Sequence, residues 1–296
     1  MGRKILTGLW LALCAHGAHA QLRSKCGPGA ELRVTPSVVM QGDLFRVEIY
    51  STQKMDELTG EWNGHPLVFW RDASTNRPKW RALAGADLEQ DPGKAVLHVT
   101  RKTAGGTALE CTGTIEVREG HFATEKLQVG KQFVEPDPQQ LERAQAESAR
   151  LRAIFATVTP EKLWHGRFRM PLAGVHKGGN FGRRRVLNGE PHSPHSGVDF
   201  AAPVGTPVRA AQSGRVVLAE ELFFAGNTVV LDHGLGVYTL YGHLSAITVK
   251  AGTDVAAGAL LGKVGATGRV TGAHLHWGLT VEGARVNALE IVKLPQ

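Results

Sequence analysis

Cysteine is scarce in this sequence: three residues in 296, one of which, Cys14, falls within the first twenty positions. None lies near the histidines of the C-terminal half, which argues against a thiolate metal centre there. Long apolar runs are also missing. The one from Ile5 to Ala15 is too short to span a bilayer as a helix. No basic helix and no basic-aromatic strand motif occurs, so nucleic acid is not an expected partner despite a formal charge of +7. No Gly- or Lys-rich wall-binding repeat is present. Between residues 31 and 118 no helical periodicity appears.

What is present begins with a leader. MGRKILTGLWLALCAHGAHA places Arg3 and Lys4 before an apolar run and ends in Ala18-His19-Ala20, the small-x-small pattern of a secretory cleavage site. We expect residues 1–20 to be a signal peptide removed after Ala20. Leu13 before Cys14 does not suit a lipid-attachment signal. Losing Arg3 and Lys4 lowers the charge of +7 by two, leaving a mildly basic exported chain suited to anionic envelope polymers. No stable membrane insertion is expected after cleavage. Cys26 and Cys111 would then sit in an oxidising compartment, either as one disulfide or as two separate buried thiols.

Residues 21–135 read as a β-sandwich domain. LFRVEIY (44–50), AVLHVT (95–100) and GTIEVRE (113–119) alternate apolar and polar residues with the period of half-buried strands. Residues 136–165 read as a helical linker. Asp137 stands at an N-cap and Pro138 at the first helical position of a helix over 138–156, whose apolar face carries Leu141, Ala144, Ser148, Leu151 and Phe155. Its charges are expected to face solvent, and TPEKLW (159–164) to add a short helical turn. From 166 to 296 glycine becomes frequent and strands follow at short spacing: 206–211, 214–220, 227–233, 236–244, 247–252, 259–265 and 273–281. This is an all-β domain.

Most of the 13 histidines lie at or after residue 165. In His274-Leu275-His276 the period of a strand puts both imidazoles on one face and gives Leu275 and Trp277 to the other. His195 and Asp199, four apart in NGEPHSPHSGVDF, share a face if that segment is extended. With one histidine of the His-x-His pair they make three nitrogen and oxygen donors. Such a set leaves a fourth zinc position for water, the pattern of catalytic rather than structural sites. In LYGHLS, alternation carries His243 onto the face of Val237, Thr239 and Tyr241.

Four segments, NFGRRR (180–185), HSGVDFAAPVGTPVRAAQSGRV (195–216), LYGHLS (240–245) and GATGRVTGAHLHWGL (265–279), together resemble the lysostaphin/LytM-type zinc metallopeptidases, which cut peptide bonds in peptidoglycan. The H-x-x-x-D and later H-x-H pattern and the further histidine are all filled; Ala273 stands where proline is common. The resemblance spans about residues 170–290. It implies a lysostaphin-type domain of the duplicated-hybrid-motif kind, so that with the strand and helix readings above a mainly β protein is expected: an N-terminal immunoglobulin-like sandwich, a helical linker and this domain. It implies Zn2+ held by His195, Asp199 and His276, with His243 and His274 as catalytic histidines, and Asn180 near the metal in a latent form. His192 is off the motif. The expected function is an exported zinc endopeptidase acting on peptidoglycan, periplasmic in preference to released, with any regulatory protein partner unidentified. The alternatives are a non-catalytic envelope module that binds peptidoglycan or activates another hydrolase, and a peptidase of exported proteins. The N-terminal domain is expected to position the enzyme, bind a partner or cover its groove.

Overall fold

The computed structural model describes residues 20–52, 55–72, 79–103, 108–175 and 178–294. The expected leader lies outside the described residues except for Ala20. The described chain is mainly β, as expected.

Two five-stranded sheets build the N-terminal part. One runs in the order Leu22–Lys25, Ala30–Thr35, Leu44–Ser51, Lys79–Gly85, Trp70–Arg71; the other Val38–Met40, Ala108–Arg118, Gly93–Thr103, Met55–Trp62, His65–Leu67. Inward residues of both, among them Leu32, Val34, Val47, Ile49, Leu97, Val99 and Ile115, share one core. The alternation Ala30–Thr35 shows why: every second side chain is buried, and the residues between are partly exposed. Cys26 and Cys111 form a disulfide inside this core across 85 residues of sequence.

The helix is Pro138–Ala156, capped as expected. Asp137 Oδ1 accepts from Gln140 N at 2.8 Å, and Gln140 Oε1 accepts from Asp137 N in return. Leu151, Ile154 and Phe155 pack on Leu218, Leu222, Val230 and Tyr238. One expectation holds only in part here and another fails. The charges are not merely solvated: Glu147 Oε2 accepts from Phe223 N at 2.7 Å, Arg143 donates to Glu221 O, and Arg150 pairs with Glu220. An exposed strand end with free backbone donors and acceptors lies beside the helix, and charged side chains satisfy it. The turn expected over 159–164 is not helical, because its backbone is used elsewhere: Leu235 N donates to Thr159 O and Leu163 N to His233 O.

The C-terminal part is one nine-stranded sheet. Its central order is Gly197–Ala201, His274–Val281, Val237–Ile247, Gly226–Asp232, Gly214–Leu222. The strand expected over 247–252 does not form: Val237–Ile247 ends there, a turn follows, and pairing resumes at Asp254–Val255. Val198, Phe200, Tyr241, Leu275, Trp277 and Leu279 fill the core behind the sheet. A separate three-stranded sheet joins Thr124–Leu127 in parallel to Arg184–Leu187, with Glu190–His192 on the other side. Asp87 and Arg285 tie the two parts by a two-pronged ion pair at 2.6 and 3.0 Å, and Val68 N donates to Glu282 Oε1 at 2.9 Å.

Candidate metal centre

Strand register assembles most of the site. Asp199 on Gly197–Ala201 lies directly opposite His276 on His274–Val281, and Ala201 opposite His274. Opposed residues share a face, so Asp199, His274 and His276 project together while Val198, Phe200, Leu275 and Trp277 go to the core. Gly197 makes room, since a Cβ there would stand 2.5 Å from His276 Cε1. His195 comes from the loop before the strand and is 1% exposed. Its Nδ1 donates to the backbone oxygen of Asn180 at 2.9 Å, and Asn180 is held at φ 73°. That bond fixes the tautomer and leaves the Nε2 lone pair facing the other ligands.

Three acceptor atoms converge. His195 Nε2 is 2.8 Å from His276 Nδ1 and 3.1 Å from Asp199 Oδ1, and His276 Nδ1 is 3.1 Å from the same oxygen. These are the residues that could hold a metal ion. Two ring nitrogens and a carboxylate oxygen so close repel unless a proton or a cation lies among them. Tetrahedral zinc with donors at about 2.0–2.2 Å separates them by about 3.3 Å, so a small outward relaxation accommodates it. The donor set fits. Burial pushes His195 down to about 4, which keeps it neutral and able to ligate. Burial alone would push Asp199 up, but the adjacent His195 and His276 rings outweigh that and hold it well below the usual carboxylate range.

His243 reaches the same face by a route the sequence did not show. Tyr241 pairs with Trp277 and Gly242 with His276, so regular alternation would turn His243 to the core with Tyr241, as expected from the sequence. Instead its φ is 63°, and the strand register shifts beside it. The left-handed residue swings the imidazole into the groove, its centroid 4.8 Å from His274 and 5.8 Å from His276. His243 Nδ1 donates to Thr267 O, and His274 Nδ1 to Gly272 O, each at 2.9 Å. Both Nε2 atoms are thereby left as lone pairs. Burial, then the neighbouring His276 and His274, push His243 down to about 3.

Beside these groups lies a cavity of about 220 Å3, lined among others by Asn180, Asp199, His243 and His274. Two residues that sequence reasoning passed over also line it, Arg185 and Arg269. Both stand inside quoted motifs, NFGRRR and GATGRVTG, but nothing in a linear pattern tells which arginine faces a groove. His192 ends the strand Glu190–His192 opposite Arg185 and is not among the converging ligands.

Known proteins are similar to this chain, most of them over the C-terminal part. The model of Peptidase family M23 matches residues 193–288. Peptidoglycan DD-endopeptidase ShyA of Vibrio cholerae is 50% identical over 98 residues, 33% of this chain and 23% of that protein. DD-carboxypeptidase/endopeptidase Mpg of Neisseria meningitidis is 44% identical over 97 residues, 33% of this chain and 22% of that protein. The chain therefore spans only a minor part of these curated relatives. A candidate peptidase M23 of Pseudomonas aeruginosa has a crystal structure that superposes with a TM-score of 0.61 at 29% identity, covering 86% of this chain and 94% of that one. The lysostaphin/LytM-type resemblance carried by the histidine motifs is thus borne out, and residues 193–288 match the model of Peptidase family M23, a family of metallopeptidases.

Proposed function

We propose that the protein is an exported, zinc-dependent endopeptidase that hydrolyses peptide cross-links of peptidoglycan. The observation that carries this reading is the convergence of His195 Nε2, Asp199 Oδ1 and His276 Nδ1 beside the imidazoles of His243 and His274, each held at Nδ1 by a backbone carbonyl. The relatives named as peptidoglycan DD-endopeptidases support a direct peptide cross-link rather than a glycine bridge.

When bound by His195, Asp199 and His276, zinc would acidify a water and polarise the scissile carbonyl. His195 is oriented by the Asn180 carbonyl, and Arg185 Nη2, 3.8 Å from Asp199 Oδ2, steadies the carboxylate. Of His243 and His274, one accepts the water proton at Nε2 and returns it to the leaving amine. The other, once protonated at Nε2, donates to the oxygen of the tetrahedral intermediate. The Thr267 and Gly272 carbonyls keep each ring in the orientation these steps need.

Three further readings belong to this proposal. The N-terminal sandwich is immunoglobulin-like, supported by a four-strand order Ala30–Thr35, Leu44–Ser51, Lys79–Gly85, Trp70–Arg71 facing a sheet in which Val38–Met40 runs parallel to Ala108–Arg118. The compartment is the periplasm, supported by the disulfide and the leader. The division at residues 135 and 165 is kept with one amendment: Thr124–Leu127 pairs with the C-terminal part and belongs to it. The test is cleavage of a purified cross-linked muropeptide dimer. Chelation should abolish it and added zinc restore it; cleavage indifferent to chelation would overturn the assignment.

A further inference from the structure

The cavity beside the ligands holds more positive charge than its own acids use. Arg185 and Arg269 both line it. Arg185 reaches Asp199 only at 3.8 Å, and its Nε is buried with no hydrogen-bond partner. The Arg269 guanidinium lies 4.5 Å over the Phe224 ring, and among the described residues no carboxylate stands within ion-pair reach of it. Burial, then the charge of Arg185, push Arg269 down to about 10, so the two cations are felt by one another. The acids on the cavity wall are already engaged. Asp199 belongs to the ligand set, and Glu125 Oε1 accepts from Arg183 Nη1 at 3.3 Å. Leu127, Leu187, Ala201 and Val270 complete the wall.

Two desolvated guanidiniums facing one cavity are costly unless an anion bridges them. Arginine is also the side chain whose planar fork matches a carboxylate. We infer that Arg185 and Arg269 form a receiving site for a free carboxylate carried by the substrate next to its scissile bond. Peptide chemistry fixes which side. In an α-linked peptide bond the α-carboxyl of the acyl-side residue is itself the scissile carbonyl, so a free α-carboxylate beside that bond belongs to the amine-side residue. That residue is either a chain end or a diamino acid acylated on the amine beside its free carboxylate. A glycine bridge has no such group. The inference rests on the peptidase reading and adds to it the two side chains, Arg185 and Arg269, that recognise this carboxylate.

Acetyl-D-alanyl-D-alanine and its C-terminal amide are the probes, since they differ only in this charge. Binding to the zinc-loaded full chain is measured by calorimetry and hydrolysis by mass spectrometry. The acid should bind about tenfold or more tighter than the amide. Arg269→Gln should bring the ratio of acid to amide affinity close to one, with zinc content and melting temperature as in the parent. Arg269→Lys, which keeps the charge and loses the fork, should retain part of the preference. Equal affinity of the parent protein for the two probes, or a preference untouched in Arg269→Gln, overturns the carboxylate site. Selective binding of the acid without hydrolysis of either probe or of cross-linked dimers supports this site and counts against the peptidase reading, so the two failures are distinct.

Discussion

Gly197 and His243 show how single residues set the site. Gly197 lets the His276 ring lie across the strand, where any Cβ would meet it at 2.5 Å. Gly197→Ala should therefore keep the fold and lower zinc affinity by about tenfold or more, read by competition with a chromogenic chelator. Unchanged affinity would mean that the ring has room elsewhere. His243→Ala and His274→Ala should each keep one zinc per chain and reduce kcat/KM by roughly 10²–10⁴, whereas His195→Ala should lose the metal. Zinc loss in the first two would reassign them as ligands. The His274-Leu275-His276 alternation was legible in the sequence because a strand's period is two. The face of His243 was not, because it depends on one left-handed residue that is not glycine. Nor was Arg269, whose role depends on which neighbours lack a carboxylate.

Among the elements, strands of the C-terminal part and the long helix were readable from alternation and capping, and their docking was not. Capping is local: Asp137, Pro138 and Gln140 stand within one turn. Docking depends on a distant partner, the strand end at Glu220–Phe223, whose free backbone groups give no signal in the sequence. Asp137→Ala should cost about 1 kcal/mol in urea unfolding, the usual worth of an N-cap. The disulfide closes 85 residues between Cys26 and Cys111. A Cys26→Ser, Cys111→Ser double variant should lose roughly 4–5 kcal/mol by the chain-entropy estimate, chiefly in the N-terminal sandwich. No loss would show that the buried pair contributes only as packing.

Across the whole molecule, the two parts meet at Glu282 as well as at Arg285. Glu282 Oε1 accepts from Val68 N, while Oε2 is buried without a partner. Burial pushes its carboxyl from the ordinary 4.5 up to about 8. The folded state thus holds this proton more tightly than the unfolded chain. The stabilising contribution is complete below about pH 4.5 and is lost as pH rises towards and through 8. Melting temperature between pH 5 and 9 should fall more steeply for the parent than for Glu282→Gln, and parallel curves would contradict the linkage. Arg285 and Asp87 hold the same junction without such a dependence, since their ion pair keeps Asp87 below its ordinary range despite burial.

The central claim is that these parts serve a zinc site for cutting peptidoglycan cross-links. Its most direct test is digestion of purified sacculi by the zinc-loaded protein, with mass spectrometry of the muropeptides released. We predict loss of cross-linked dimers and a matching gain of monomers, abolished in His276→Ala. An unchanged muropeptide profile, with zinc confirmed in the protein and in a variant lacking residues 21–119 as well as in the full chain, would contradict it.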